Sequence, residues 1–352
     1  MLALRKLDLL PGVALEDAPL PMPSSGEVLI AVAAAGICGS DLHVACSAPS
    51  YAFIAPALPV TLGHEFAGTI VALADGAGGV SIGDRVVVMP SVICGACDRC
   101  RRGDADACLR RKGLGMTKNG AFASHVTAPA INCVPLPDEL SFDLAALTEP
   151  LTVSAEAVSR GEIGRGTRVL VMGPGTIGQG AALLSRRAGA AQVAIAGFND
   201  THRLSVMRAL GFDTVCDMAG TEAAEQLRML AGDGFDVVIE ATGSADAVRD
   251  GLKLLRAGGT LVVSGIHDGP VEIDATDMVR RNLQLRGSYR APRAAWPEVV
   301  AMLSEHGTEF APMITHRLSL AEALVGFGLA QNKEASKVML HPSLATGPGA
   351  QW

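Results

Sequence analysis

The sequence predicts an α/β protein in which a β-rich region is followed by a doubly wound parallel sheet. Three observations carry this. Short Val/Ile-rich runs broken by glycine and proline fill the first 150 residues, strand and helix signals alternate from about residue 167, and a Gly173-Pro174-Gly175-Thr176-Ile177-Gly178 turn opens that alternation.

In the first region, runs at 27–33, 68–73 and 84–89 have the β-branched content of twisted strands. Residues 168–172 then form a short apolar run, and 176–188 follow with helical spacing. Strand signals recur at 192–196, 214–216, 235–239 and 260–264, with 283–286 as a candidate sixth strand. Helix-like stretches at 201–210, 222–231 and 245–255 separate them, the pattern of a parallel sheet covered on both faces. Beyond Gly287, helices are expected near 296–305 and 320–327 and a strand at 337–340. This tail is too short for its own core and should return to the first domain. Residues from Ala345 onward, rich in Gly, Pro and Ala, should be loose.

At 352 residues, 49% of them hydrophobic, the chain can bury a large core in two or three domains. A net charge of −7 with scattered basic residues provides no stripe for a phosphate backbone, which argues against nucleic acid and for a small-molecule substrate. The first 11 residues alternate basic, acidic and apolar side chains where a signal peptide would need a basic start and an apolar core, so a mature cytoplasmic protein is expected. Apolar runs such as 28–35 are too short to span a membrane. Four of eight cysteines fall within fifteen residues, which favours metal over disulfides.

In the 173–178 turn, Gly173 ends the strand, Gly175 lets a pyrophosphate approach the backbone, and Gly178 permits close helix–strand packing; Pro174, Thr176 and Ile177 complete the loop. The helix N-terminus would face the phosphates of a dinucleotide. An acidic residue that would hold the ribose hydroxyls is expected about 20 residues on. Gly197 stands there, in Ala196-Gly197-Phe198-Asn199-Asp200. Asp200, beside Asn199, could substitute if the loop folds back, whereas His202 and Arg203 could pair with a 2′-phosphate. A solvated helix face is the other reading of Arg203. With no arginine directly after Gly197, the reading leans to NAD over NADP.

Cys94-x2-Cys97-x2-Cys100-x7-Cys108 offers four soft ligands that close a tetrahedral shell, the mark of a structural zinc site. Its polar flanks, Asp98, Arg99, Arg101, Arg102 and Asp104, suit an exposed lobe. Four unrelated thiols and a nucleic-acid-binding zinc module are the competing readings, and the acidic chain opposes the latter. A second constellation is dispersed: Cys38, the pair His64-Glu65, and Glu149 before Pro150. A catalytic zinc takes three protein ligands and keeps one exchangeable position. Each residue alone has a plain reading, Cys38 as core and Glu149 as a turn residue. Their combination carries the weight.

Gly63-His64-Glu65-x2-Gly68, Gly36-Ile37-Cys38-Gly39-Ser40-Asp41, the four-cysteine lobe and the 173–178 turn together resemble the zinc-dependent branch of the medium-chain dehydrogenase/reductase superfamily, from about residue 28 to 340. Glu149-Pro150-Leu151-Thr152-Val153, where alcohol dehydrogenases proper carry a cysteine ligand, is similar to the sorbitol and threonine dehydrogenase subgroup. The resemblance implies a GroES-like catalytic domain from residues 1–152, with the zinc lobe at about 90–112, completed by 290–352, a Rossmann domain at 153–289, and an active cleft between them. It implies a homodimer or homotetramer with zinc at both sites. Cys38, His64 and Glu65 would be catalytic ligands, Glu149 would bind directly or through water, and Ser40 and His43 would relay the alcohol proton to solvent. The implied reaction interconverts a secondary alcohol or polyol with its ketone using NAD(P), zinc acting as Lewis acid.

Departures from the subgroup bear on substrate. Val44 stands where sorbitol dehydrogenases tend to have an aromatic residue, and 46–59 is apolar, with Tyr51, Phe53, Ile54 and Leu58. In Gly287-Ser288-Tyr289-Arg290-Ala291-Pro292, Arg290 matches the subgroup's arginine while Ala291 replaces its tyrosine. A pocket with few polar groups favours less hydroxylated alcohols, because unpaired buried polar groups are costly. The apolar loop could instead pack on the core or a sister subunit. The alternatives are a threonine-type hydroxy amino acid, with Arg290 as carboxylate partner, and a noncatalytic nicotinamide- or nucleic-acid-binding zinc protein. Cys46, Cys133 and Cys216 are expected as small core residues.

Overall fold

The computed structural model describes residues 1–220 and 222–343, so the tail from Ala345 lies outside the described residues. The chain divides into two compact units, one of residues 1–149, 292–307 and 314 onward, the other of 150–291 and 308–313.

The first unit is built on the strand Glu27–Gly36. It pairs antiparallel with Glu65–Leu73 on one side and, at its end, with Lys337–His341, while His125–Pro129 pairs along its start. Among the described residues these belong to a seven-stranded sheet that runs out through Arg85–Val88 to Cys133–Pro135 and, at the other edge, to Ile314–Ser319. A smaller sheet orders Ala14–Asp17, Leu2–Lys6 and Val60–Thr61. Leu4, Val28, Ile30, Phe66, Ile70 and Phe122 are fully buried in the shared core. Removing apolar surface from water, at about 25 cal/mol per Å², is what draws Lys337–His341 across to Glu27–Gly36. Lys6 is buried too, but its ammonium donates to the carbonyls of Leu10, Gly12 and Ala45 and to Ser47 Oγ, which supplies the partners that burial demands.

The apolar 46–59 stretch becomes the 3-10 helix Pro49–Ala57. Ile54 is buried, and Tyr51 and Leu58 pack partly against the core, while Phe53 stays exposed. Of the three cysteines expected as core residues, Cys133 is buried and Cys216 half-buried. Cys46 corrects the expectation: it is exposed, because it caps the end of the helix Gly39–Ala45 at the surface.

In the second unit six parallel strands run in the order Val215–Asp217, Gln192–Gly197, Arg168–Met172, Phe235–Glu240, Leu255–Val263 and Gln284–Gly287. This is the 3-2-1-4-5-6 order of a doubly wound sheet. Helices Thr176–Arg187, Thr201–Ala209, Ala223–Ala231 and Ala245–Leu254 lie close to the stretches expected from periodicity. The fifth strand begins at Leu255, five residues before its sequence signal. Arg256-Ala257-Gly258-Gly259 reads locally as a turn, but Leu255 pairs with Phe235 before a register shift, so the neighbouring strand extends the pairing. No helix among the described residues is long and apolar enough to cross a membrane.

Candidate functional site

Cys38 precedes the helix Gly39–Ala45 in extended conformation, and its N–H donates to Asp41 Oδ2 at 2.9 Å, which closes the first turn. His64 directly precedes Glu65, the first residue of Glu65–Leu73, and Gly36 pairs in register with Glu65. Through that pairing, Cys38 comes close to His64 and Glu65, 26 and 27 residues further on, so that one donor atom from each of the three lies within 4.8 Å of the others. Bonds of about 2.0–2.3 Å to a single zinc require donors this close.

Asp41, fully buried, stands behind His64, with Oδ1 3.6 Å from Nδ1. On the other side of the ring, Nε2 lies 3.3 Å from Ser40 Oγ. Burial works to lower the His64 pKa, yet the Asp41 carboxylate and the Cys38 sulfur hold it well above its usual value. A carboxylate behind a ligating histidine fixes ring orientation in metal sites.

Glu65 is fully buried; Lys337 Nζ donates to its Oε2 at 2.5 Å and to Ile37 O at 2.8 Å. Gly36 makes room for this pair, since a Cβ there would lie 2.4 Å from Glu65 Oε2. Glu65 Oε1 is buried with no hydrogen-bond partner among the described residues. A bare buried carboxylate oxygen beside a thiol and an imidazole fits a cation, so these residues suit zinc.

Glu149 opens the helix Thr148–Arg160, with Pro150 accommodated in its first turn. It is half-buried and stands outside the three-residue set within 4.8 Å. Desolvation pushes its carboxyl up to about 7, the charges of Glu65 and Asp41 add to the rise, and His64 and Lys337 oppose it. His43 stacks on Tyr51, with ring centroids 5.5 Å apart, and among the described residues no hydrogen bond joins it to Ser40, whose hydroxyl meets His64 instead. Val44 is fully buried in the core. Arg290 is exposed, its guanidinium 4.8 Å from the Tyr289 ring centroid.

The sulfurs of Cys94, Cys97, Cys100 and Cys108 also fall within 4.8 Å of one another. Cys97 and Cys100 are 3.5 Å apart, near the sulfur spacing of about 3.8 Å that Zn–S bonds of about 2.3 Å impose on a tetrahedron. Backbone N–H groups of Cys100 and Leu109 lower the Cys97 thiol to about 6, and that of Ala96 lowers Cys94. Desolvation and the neighbouring sulfurs push Cys100 up to about 12. Four clustered sulfurs with backbone donors aimed at two of them fit a closed structural zinc shell. Strands Ser91–Val92 and Lys112–Gly113 pair beneath the lobe, and Arg111 donates to the carbonyls of Ala105 and Asp106.

In the second unit, Gly173 has φ +106° at the end of Arg168–Met172, and the helix starts at Thr176. A Cβ on Gly178 would meet Gly173 O at 1.8 Å, so helix and strand approach too closely for any side chain. Beside Gly175 the nearest atom a Cβ would meet is Arg203 Nη1, at 3.9 Å, so the cradle is open to an anion. Gly197 is hemmed in by Leu204 and Pro174, each about 3 Å from a Cβ there. Asn199, at φ +47°, turns the chain, with its N–H on Asp217 Oδ1. Asp200, buried, lies 3.5 Å from Arg203 Nη1. Burial lowers the Arg203 pKa and Asp200 opposes that shift. The loop therefore presents the carboxylate and the guanidinium as one pair, and the cradle suits a dinucleotide.

The family model described as alcohol dehydrogenase GroES-like domain matches residues 24–138, and that described as zinc-binding dehydrogenase matches 176–305. An L-threonine 3-dehydrogenase of Rhizobium etli (strain CIAT 652) is 32% identical over 331 residues, covering 94% of this chain and 95% of its own. A sorbitol dehydrogenase of Halalkalibacterium halodurans is 34% identical over 333 residues, with the same coverage. The chain belongs to the zinc-binding alcohol dehydrogenase family.

Solved structures agree with that membership. The 2R,3R-butanediol dehydrogenase of Bacillus subtilis superposes with a TM-score of 0.85 at 27% identity, over 97% of this chain and 99% of that one. A zinc-binding dehydrogenase of Sinorhizobium meliloti 1021 bound to NADP does so at 0.85 and 29%, with the same coverage. The family accounts for the GroES-like sheet unit and the parallel Rossmann-like unit, and makes this dehydrogenase an oxidoreductase that takes zinc and a nicotinamide cofactor. Asp41 and Lys337 join this candidate metal centre without a ligand motif of their own. Asp41 stands three residues after Cys38, where an acidic residue in a first helical turn is a usable signal. Lys337, 272 residues from Glu65, has none.

Proposed function

We propose that the protein interconverts a secondary alcohol or polyol with its ketone, using zinc and NAD(P). The convergence of Cys38, His64 and Glu65 donor atoms within 4.8 Å, with one Glu65 oxygen bare, carries the reading. Cys38, His64 and Glu65 would hold the catalytic zinc, with Glu149 binding it directly or through water, and the four cysteines would hold a structural zinc. When bound, zinc supplies Lewis acidity at the substrate oxygen and the nicotinamide takes up or returns hydride. The chain's own residues do the rest. Asp41 would orient His64, Lys337 would balance the charge of Glu65, and the Ser40 hydroxyl beside His64 would receive the substrate proton, which would reach His43 through a bridging group, since no hydrogen bond joins the two side chains among the described residues.

The 173–178 turn would cradle the pyrophosphate. We favour NAD because Asp200 already neutralises Arg203, the guanidinium a 2′-phosphate would recruit. Residues 1–152 with 290–352 would form the catalytic domain and 153–289 the nucleotide domain of a cytoplasmic homodimer or homotetramer. Edge strand Gln284–Gly287, with exposed Leu285, supports self-association. Likeness to threonine dehydrogenases supports a second reading, a hydroxy amino acid whose carboxylate meets Arg290.

The test is nicotinamide reduction by zinc-replete protein against polyols, simple secondary alcohols and threonine, with each cofactor separately. Turnover of polyols or secondary alcohols that is lost in Cys38→Ser sustains the reading. Turnover of threonine alone, abolished by Arg290→Ala, replaces it with the second.

A further inference from the structure

Glu240 ends the strand Phe235–Glu240 and is fully buried. Its Oε1 accepts the N–H groups of Thr242 at 2.6 Å and Gly243 at 2.8 Å, together with the Thr242 hydroxyl. Its Oε2 faces His267 Nε2 at 3.2 Å. An ionised carboxylate is only an acceptor, so the imidazole nitrogen facing it carries the hydrogen. In the neutral ring the other nitrogen, Nδ1, is then a lone-pair acceptor. His267 Nδ1 is buried and has no hydrogen-bond partner among the described residues. A bare buried acceptor is costly, which points to a donor brought by a ligand.

The location says which ligand. Glu240 is in register with Met172, and a Cβ on Gly173 would touch Ala241 O and Thr242 Cγ2 at 2.9 Å. The turn that Glu240 organises therefore abuts the first glycine of the phosphate cradle. A sheet of this order binds a dinucleotide across its switch point, one mononucleotide on each trio of strands. The adenosine half belongs with Gln192–Gly197, where the ribose position lies. The nicotinamide half then belongs with Phe235–Glu240, Leu255–Val263 and Gln284–Gly287, and His267 follows the second of these. The nicotinamide carboxamide carries an N–H donor.

We propose that His267 Nδ1 accepts a hydrogen bond from the carboxamide N–H of bound nicotinamide, and that Glu240 is the positioning residue that sets the tautomer leaving Nδ1 free to accept. The proposal rests on reading the 173–178 turn as a dinucleotide site.

The test compares binding of reduced nicotinamide dinucleotide with that of its 3-acetylpyridine analogue, followed by nucleotide fluorescence in the intact protein. The analogue keeps the ring carbonyl and replaces the amide nitrogen with methyl. Wild-type protein should bind the nicotinamide form about 2- to 10-fold more tightly, the range of one neutral hydrogen bond. Glu240→Gln preserves size, keeps an oxygen for the three donors and turns an NH2 toward His267, which moves the ring hydrogen to Nδ1. In Glu240→Gln and in His267→Leu the preference should fall to about 1-fold through weaker nicotinamide binding, with analogue affinity unchanged. A purely structural role would weaken both ligands together. Equal weakening of both ligands, or retention of the wild-type ratio in His267→Leu, overturns the proposal. Wild-type protein that binds neither dinucleotide overturns the dinucleotide reading and this inference with it.

Discussion

Lys337 Nζ lies 2.5 Å from Glu65 Oε2, and each side chain is only 1% exposed. The two sit on strands flanking Glu27–Gly36, so the last described strand supplies the counter-charge for a carboxylate at the candidate metal centre. Burial alone would lower the Lys337 pKa, but Glu65 and Cys38 reverse the shift and raise it. Its ammonium form contributes stability that is complete below its ordinary pKa and lost only as pH rises through the raised value. Lys337→Met should therefore destabilise the protein at neutral pH by about 3–5 kcal/mol, because Glu65 is left buried and unpaired. Urea unfolding of the two proteins measures this. Replacing Glu65 with Gln in the Lys337→Met background should recover part of the loss.

Metal content separates the two centres. Cys38→Ser should remove one zinc per chain with little change in unfolding temperature, and Cys97→Ser should remove the other and unfold the 94–108 lobe. Elemental analysis with limited proteolysis reads both. Equal metal in wild type and Cys97→Ser would end the structural-zinc reading.

Gly178→Ala should abolish dinucleotide binding and destabilise the second unit by at least about 1–3 kcal/mol, since its Cβ would lie 1.8 Å from Gly173 O. Gly175→Ala meets only the far end of Arg203 and should fold normally, weakening dinucleotide affinity alone. Calorimetry and fluorescence titration on the two variants distinguish these outcomes.

Asp143 lies between Arg317 Nε at 2.5 Å and His341 Nε2 at 3.1 Å. Burial raises its pKa, but hydrogen bonds and charge from His341 and Arg317 overcome that and lower it. A carboxylate depressed on folding contributes stability that is present above its unfolded pKa of about 3.9 and lost as pH falls through the folded value. Asp143→Asn should thus be less stable than wild type at pH 7, with the gap closing in acid below about pH 4. Unfolding curves from pH 7 downward test the sign.

What was legible in the linear sequence was whatever the chain makes from neighbours. Four cysteines within fifteen residues and a glycine turn between a strand and a helix declare metal and dinucleotide chemistry through spacing, because a loop of that length can reach only one ion or one phosphate group. The strand–helix alternation of 168–286 was readable for the same reason, helix and strand periods being local properties. Tertiary structure decided the rest. It buried Val44 in the core and left Arg290 exposed over Tyr289, and it neutralised Glu65 with a lysine 272 residues away. It also joined Glu240 to His267, 27 residues on, across the ends of parallel strands. Sheet pairing creates such contacts between residues that share no local pattern. Which carboxylate is paired and which oxygen stays bare therefore depends on register and burial, which exist only once the strands have met.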